Sequence, residues 1–87
     1  MPQLKVLEVI DGDTFRGPRK KFIRLAGVDA PELGTKGAAA ARNKLADMIS
    51  SKTITYTTKA KSYGRDVSQV KIAGKDVCAA MKRYLKK

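Results

Sequence analysis

Hydrophobic and polar positions alternate in short runs along the first third of the chain, a pattern that is typical of β-strands. The segments Leu4–Ile10 and Phe22–Val28 are rich in Val, Leu and Ile and predict strands, with a short extended segment, Thr14–Arg16, between them. Asp-Gly at positions 11–12, where glycine tolerates a positive φ, and Gly-Pro at positions 17–18 predict the separating turns. This part of the chain therefore predicts three strands joined by tight turns.

A helical periodicity replaces the alternation in the middle of the chain. Apolar residues between Gly37 and Ser50 recur at helical spacing, in a segment rich in alanine, the strongest helix former. These apolar positions are Ala38, Ala41, Leu45, Met48 and Ile49. We expect this helix to be a scaffold for the strands around it.

The last third of the chain returns to strands before a closing helix. The β-branched segment Thr53–Thr58 and the segment Asp66–Ile72 predict two strands that pair with each other, and the basic segment Lys59–Arg65 predicts a loop or turn between them. Asp76 is a suitable N-cap for the helix that follows. The only cysteine, Cys78, falls on the apolar stripe of this helix, where we expect a buried, inert thiol. The stripe consists of Val77, Cys78, Met81, Tyr84 and Leu85.

This order of elements favours a small α+β domain that is made mainly of strands. No repeat, low-complexity tract or linker interrupts residues 1–87, so we expect one domain. An antiparallel barrel with a helix between its third and fourth strands is the economical packing, and the OB-fold has that layout. We therefore expect a five-stranded OB-fold barrel with two helices.

Net charge identifies the expected class of partner. The chain has 19 Lys and Arg residues against 8 Asp and Glu residues, which gives a net charge of +11 and attracts polyanions. The basic residues are spread along the chain rather than gathered on an amphipathic helix, which favours DNA or RNA over a membrane surface. No apolar run approaches the roughly 20 residues of a membrane span. A merely soluble basic protein is the alternative, and the size of the excess argues against it.

The few acidic residues are concentrated rather than spread. Four of the eight lie in two short segments, as Asp11 and Asp13 in the first and Asp29 and Glu32 in the second. Pro31 stiffens the second segment. Histidine is absent, so any proton transfer must use a carboxylate, Lys, Tyr or water.

The N-terminal segment has no apolar core of a signal peptide, which slightly favours the cytoplasm but leaves the location open, as it leaves open a longer, processed precursor. One cysteine permits no internal disulfide. We expect a monomer, with a dimer as the alternative.

Three motifs occur in series along the chain. They are Asp-Gly-Asp-Thr at 11–14, Arg24 five residues before Asp-Ala-Pro-Glu at 29–32, and Tyr-Gly-Arg at 63–65. In this order they closely resemble the staphylococcal-nuclease (thermonuclease) family, and the resemblance covers residues 4 to about 84. It implies an OB-fold barrel and a calcium-dependent endonuclease, a phosphodiesterase that acts on DNA and RNA. The family chain normally continues past the last helix, so this sequence resembles a member that is short at its C-terminus.

The resemblance also implies a role for each residue of the acidic segments. Asp13 and Asp29 match the carboxylate ligands of the metal, and Ala30 falls where the family lends a main-chain carbonyl. Asp11 matches a group that reaches the ion through water. Glu32 matches the carboxylate that activates or orients the attacking water.

The remaining matched residues would contact the substrate. Arg24 and Arg65 match the two arginines that clamp the phosphate. Tyr63 matches an aromatic residue that lines the nucleotide site, and we place Lys61 with it as a substrate-binding residue. Two guanidinium groups strengthen their hold on a phosphate as negative charge develops during hydrolysis.

The residue types leave some choices open. The resemblance favours Ca²⁺, but oxygen ligands alone also allow Mg²⁺ or Mn²⁺. The alternative function is a non-catalytic nucleic-acid-binding OB-fold module. That alternative does not explain acidic residues at a phosphate site, because carboxylates repel the phosphate backbone of the nucleic acid unless a cation lies between them. A ribosome-associated structural protein explains the positive charge but not the acidic segments.

The run at Arg19, Lys20 and Lys21 is read as a solvated loop, with contact to phosphate as a second role.

Overall fold

The computed structural model describes residues 3–31 and 34–85. Strands dominate this part of the chain, together with two α-helices, so the expected α+β class is confirmed. The strands are β1 (Gln3–Lys5), β2 (Glu8–Asp11), β3 (Thr14–Gly17), β4 (Lys21–Leu25), β5 (Thr53–Ser62), β6 (Arg65–Ile72) and β7 (Lys75–Asp76). The helices are α1 (Ala38–Ile49) and α2 (Val77–Leu85). Neither helix in the described ranges is long and apolar enough to cross a membrane.

The strands form one seven-stranded sheet in the order β1-β5-β6-β4-β3-β2, with β7 paired to β6. The pair β4–β6 is parallel and the other pairs are antiparallel. The sheet is not closed into a barrel, so the expected five-stranded barrel is not confirmed. Two short strands that the sequence did not distinguish, one at each end of the chain, account for the larger number.

The predicted strand Leu4–Ile10 is wrong as a single element, because the chain changes its pairing partner in the middle. The N–H of Val6 donates to the carbonyl of Lys52, before β5, at 2.9 Å, and the N–H of Leu7 donates to the carbonyl of Arg16 on β3 at 2.9 Å. The consecutive residues Val6 and Leu7 therefore form hydrogen bonds on opposite sides of the chain. The strand is divided into β1 and β2 at that point.

The predicted loop or turn at Lys59–Arg65 is shorter than expected, because β5 continues to Ser62 and β6 begins at Arg65. A two-residue turn joins them, and both of its residues have a positive φ, 52° at Tyr63 and 77° at Gly64. Such left-handed pairs make the tight turns that fit the twist of a hairpin. Tyrosine is unusual at the first of these positions, so the sequence predicted the turn but not its two-residue length.

Two other predicted boundaries shift by a few residues. The predicted strand Phe22–Val28 ends at Leu25, where a turn with a positive φ of 72° at Gly27 follows. Val28 is nevertheless buried, which explains its apolar character. The first helix begins one residue after Gly37 and ends one residue before Ser50, so that prediction is confirmed apart from its ends.

The core lies between the sheet and the two helices. Helix α1 packs against β2, and α2 packs against β6. The expected burial of Cys78 is confirmed, and burial raises the pKa of its thiol, which keeps it protonated. The largest fully buried side chains are Phe15, Ile23, Leu25, Leu45, Ile49, Ile54 and Met81.

The predicted N-cap of α2 is confirmed. One carboxylate oxygen of Asp76, Oδ1, accepts the N–H of Ala79 at 3.0 Å and the Nε2 of Gln69 at 2.6 Å. The cap therefore satisfies an orphan N–H of the helix and also ties the start of α2 to strand β6.

Candidate functional site

The Asp-Gly-Asp turn packs directly against helix α1. A Cβ atom at Gly12, which is buried, would lie 2.7 Å from the Cβ of Ala41 and 2.8 Å from the Cβ of Ala30. Optimal carbon–carbon contacts lie at about 3.5–4.0 Å. Gly12 does not have the positive φ expected from the sequence. Glycine is needed here for its small size, which lets the turn approach the segment that carries Asp29.

Asp13 is the centre of the hydrogen-bond network at this turn, and the residue is only 7% exposed. Its Oδ1 accepts the hydroxyl of Thr14 at 2.9 Å. Its Oδ2 accepts the main-chain N–H of Ala30 at 3.2 Å and the Nη2 of Arg24 at 3.5 Å. Both carboxylate oxygens therefore have donors, which stabilise the ionised form of a buried acid.

The two carboxylates of the turn have opposite pKa shifts. Burial, followed by the hydrogen bond with Asp13, raises the pKa of Asp11. Burial acting alone would also raise the pKa of Asp13, but its hydrogen bonds with Asp11, Ala30 and Thr14 and the charge of Arg24 outweigh burial and lower it. The main-chain N–H of Asp13 also donates to Oδ1 of Asp11 at 3.1 Å. Negative charge in this turn is therefore most stable on Asp13.

Arg24 joins the two acidic segments through one nitrogen atom. Its Nη2 lies 3.5 Å from Oδ2 of Asp13 and 3.9 Å from Oδ1 of Asp29. Strand β4 sets this position, because Arg24 is the register partner of Thr14 on β3. The Asp29 side chain is 99% exposed, and a depression of about 420 Å³ that also includes Gly27 opens beside it. A buried and an exposed carboxylate thus share one guanidinium at an open surface.

Arg65 reaches the same cluster from the start of β6. Its Nη1 donates to Oγ1 of Thr14 at 3.4 Å, across a sequence separation of 51 residues. The same hydroxyl donates to Asp13, and Thr14 is only 3% exposed. The guanidinium groups of Arg24 and Arg65 are therefore connected to one carboxylate, the first directly and the second through a hydroxyl group.

The remaining predicted site residues have different positions. Ala30 contributes its main-chain N–H to the cluster, whereas the expectation concerned its carbonyl. Glu32 lies outside the described residues. Tyr63 is 94% exposed at its turn, and Lys61 is exposed on β5. Within the described ranges, no hydrogen bond or ion pair joins either side chain to Asp13 or its partners.

Two features of this region were missed by sequence reasoning. Thr14 links Arg65 to Asp13, and its place directly after Asp13 in the motif was the available signal. The second feature is an ion pair between Lys21 and the buried Asp66, for which the sequence offered no signal. That pair connects β4 to β6, which adjoin in the sheet but are 40 residues apart along the chain.

The acidic groups come together in pairs rather than in a larger cluster. Among residues 3–31 and 34–85, no three His, Cys, Asp or Glu side chains form a group that could hold a metal. Asp13 and Asp29 each have a carboxylate oxygen within 3.9 Å of Nη2 of Arg24, and Asp11 adjoins Asp13. This all-oxygen donor set is the type that Ca²⁺ and Mg²⁺ prefer, with water completing the coordination.

No protein-family model matches this chain, and a search of curated proteins finds no significant match. The resemblance to staphylococcal nucleases therefore rests on the three motifs.

Proposed function

We propose that this protein is a calcium-dependent nuclease of the staphylococcal-nuclease type, which hydrolyses phosphodiester bonds of DNA or RNA. The observation that carries the proposal is the position of Arg24, whose Nη2 lies 3.5 Å from Asp13 and 3.9 Å from Asp29. This arrangement sets a phosphate-binding group against two carboxylates, and a net charge of +11 attracts the polyanion to it.

The two arginines are the groups that bind the phosphate. Arg24 uses Nη2 in its contacts with the carboxylates, and Arg65 uses Nη1 in its contact with Thr14. A guanidinium has five N–H donors, so each arginine retains donors for phosphoryl oxygens. Because Asp13 anchors both side chains, they are oriented before the substrate arrives, and their hydrogen bonds strengthen as negative charge develops.

The oxygen-bearing residue types of the two acidic segments suit a hard divalent cation. Asp13 and Asp29 would hold it together with the main-chain carbonyl of Ala30, and Asp11 would reach it through water. When bound, Ca²⁺ supplies Lewis-acid polarisation of the phosphoryl oxygen and makes a water molecule more acidic. The carboxylate of Glu32, assigned by the resemblance, would accept the proton of the attacking water.

We also propose that the sheet has an OB-like arrangement. The two ends of the strand order, β1 and β2, are consecutive in the chain. The N–H groups of Val6 and Leu7 between them pair with the Lys52 and Arg16 carbonyls on opposite sides. These bonds support an interpretation in which β1 and β2 are two halves of one bent strand, and each half pairs with a different side of the sheet. OB-folds commonly bind oligonucleotides on one face, which agrees with the proposed substrate.

Incubation with single-stranded DNA and Ca²⁺ tests the proposed function. We expect cleavage that a chelator stops, and Glu32→Gln should retain DNA binding but lose about 10²–10⁴-fold in turnover. Glu8→Gln is the matched control, because Glu8 pairs with Arg16 on β3 outside the carboxylate cluster. DNA binding without any cleavage by the unmodified protein would instead support the non-catalytic module.

The phosphate clamp has its own test. Arg65→Ala should lower kcat by about 10²–10³-fold, the usual loss for one donor to developing charge. Arg83→Ala removes the same charge from an exposed position on α2 and should leave kcat near normal. Equal rates for the two variants would contradict the role of Arg65.

A further inference from the structure

Two turns that are far apart in the sequence lie at the same end of the sheet, where strands β4 and β6 begin. Strands β4 and β6 are parallel neighbours, with Ile23 opposite Asp66, so both strands begin at this end. The turn that precedes β4 contains Arg19 and Lys20. The turn that precedes β6 follows the end of β5, where Lys61 is the register partner of Asp66. We call residues 18–21 together with residues 59–66 the basic edge.

The basic edge carries a large share of the positive charge. Its twelve residues include six Lys or Arg and one acid, so they supply +5 of the net charge of +11. The acid, Asp66, is buried and paired with Lys21, whose ammonium group also lies 5.9 Å from the ring centre of Tyr56. Because that acid is already neutralised, the exposed side chains present an uncompensated positive surface. Those exposed side chains are Arg19, Lys20, Lys59 and Lys61.

The turn before β4 holds its basic residues in an unusual conformation. Arg19 and Lys20 have positive φ values of 59° and 58°, at positions where hairpin turns favour asparagine or glycine. The N–H of Lys21 donates to the carbonyl of Pro18 and closes the turn. Neither Arg19 nor Lys20 has a side-chain hydrogen bond or ion pair within the described ranges. Both cations are thus presented to solvent on a fixed, tight turn.

The basic edge is continuous with the candidate site but does not coincide with it. Arg65 belongs to both, because its backbone begins β6 while its guanidinium reaches Thr14. Along β4, Lys21 precedes Arg24 by three residues, which is about 10 Å at 3.3 Å per residue. The residues before Lys21 are therefore too far from Arg24 to contact the same phosphate group.

We propose that the basic edge binds the backbone of the nucleic-acid strand at phosphates beyond the one held at the candidate site. The inference rests on the nucleic-acid substrate of the proposed function and adds a second, remote contact to it. Its contribution depends on substrate length, because only a strand that extends beyond the site can reach Arg19 and Lys20.

A pair of double variants with the same net charge tests this proposal. Arg19→Gln/Lys20→Gln and Lys71→Gln/Lys75→Gln each lower the net charge from +11 to +9, and Lys71 and Lys75 are exposed at the other end of β6 and on β7. Binding to fluorescent oligothymidylates of 2 and 15 nucleotides is measured by anisotropy over a salt series with chelator present, and thermal melts verify folding. No cleavage is needed for this measurement.

We expect the Arg19/Lys20 variant to reduce the salt slope for the 15-mer by about 1.4, since each single-strand phosphate contact contributes about 0.7. The Lys71/Lys75 variant should leave that slope unchanged, and neither variant should affect the 2-mer. Equal slopes for the two variants on the 15-mer, or an equal effect of the Arg19/Lys20 variant on both lengths, would overturn the proposal. Absence of DNA cleavage by the unmodified protein would overturn the proposed nuclease but not a difference in slope measured with chelator.

Discussion

At the scale of single residues, the absence of a side chain at Gly12 allows the two acidic segments to lie close together. Gly12→Ala should lower the free energy of unfolding by about 1–3 kcal/mol, the usual cost of overpacking, because the new methyl group overlaps Ala41 and Ala30. If the proposed nuclease function holds, this variant should also lower DNA cleavage by moving Asp13 away from Asp29. Chemical denaturation and a cleavage assay measure the two effects.

The double variant Gly12→Ala/Ala41→Gly tests the cause of that loss. Glycine within α1 should cost about 0.5–1 kcal/mol by itself. Removal of the Ala41 methyl group relieves one of the two overlaps and leaves the one with Ala30, so the double variant should lose less stability than the sum of the single variants. Additive losses would show that the contact with Ala41 is not the source of the strain.

The opposite pKa shifts of Asp11 and Asp13 predict opposite effects of removing each charge. The pKa of Asp13 is lower in the folded protein than the ordinary carboxyl pKa of about 3.9. Its ionised carboxylate therefore stabilises the fold at pH values above about 3.9, and this stabilisation is lost as pH falls through the lower folded pKa. Asp11 has a raised pKa, so ionising it costs stability as pH rises through its folded value. In the presence of chelator, Asp13→Asn should therefore destabilise the protein at pH 7, and Asp11→Asn should stabilise it.

Denaturation curves at pH 7 and pH 3 measure both differences. The difference between each variant and the unmodified protein should be smaller at the lower pH, where the carboxyl groups of the unfolded chain are largely protonated. A stabilising effect of Asp13→Asn at pH 7 would contradict the hydrogen-bond network around that residue.

At the scale of elements, the Asp76 cap connects helix α2 to the sheet. Asp76→Ala should lower the free energy of unfolding by about 0.5–2 kcal/mol, the range for loss of an N-cap. Asp76→Ser can still accept the N–H of Ala79 and should recover much of this loss. Equal stability of the alanine and serine variants in urea denaturation would mean that the cap does not stabilise the helix.

Local sequence signals predicted the elements whose structure is local. Helix α1 follows from its apolar spacing, and the cap of α2 follows from one aspartate in a suitable position. The division of β1 from β2 depends on Lys52 and Arg16, which are distant in the sequence, so the local pattern of Leu4–Ile10 could not show it. The turn at Tyr63–Gly64 was predicted, but its two-residue length was not, because a bulky residue occupies a left-handed position.

The candidate site shows the same limit. The motifs selected Asp13, Arg24 and Arg65, and the structure connects all three. The link through Thr14 depends on how β3, β4 and β6 align in the sheet, which no single segment encodes. The ion pair of Lys21 with Asp66 depends on the same parallel pairing and was not predicted.

At the scale of the whole molecule, the proposed metal site links ion binding to the stability of the fold. A ligand that binds only the folded state raises the free energy of unfolding by RT ln(1 + [L]/Kd), about 2.7 kcal/mol at 100 times Kd. One kcal/mol shifts the Tm of a domain of this size by about 4–8 °C. Saturating Ca²⁺ should therefore raise the Tm by about 10–20 °C.

Two controls make that rise specific to the site. Salt of matched ionic strength is needed, because screening alone reduces the self-repulsion of a chain with a net charge of +11. Asp13→Asn should abolish the rise because it removes the buried ligand, whereas Glu8→Gln should retain it because Glu8 pairs with Arg16 elsewhere. An unchanged Tm in millimolar Ca²⁺, or an equal rise of Tm in Asp13→Asn, would contradict the proposed metal site. Either result would mean that Asp13 does not bind an ion that stabilises the folded state.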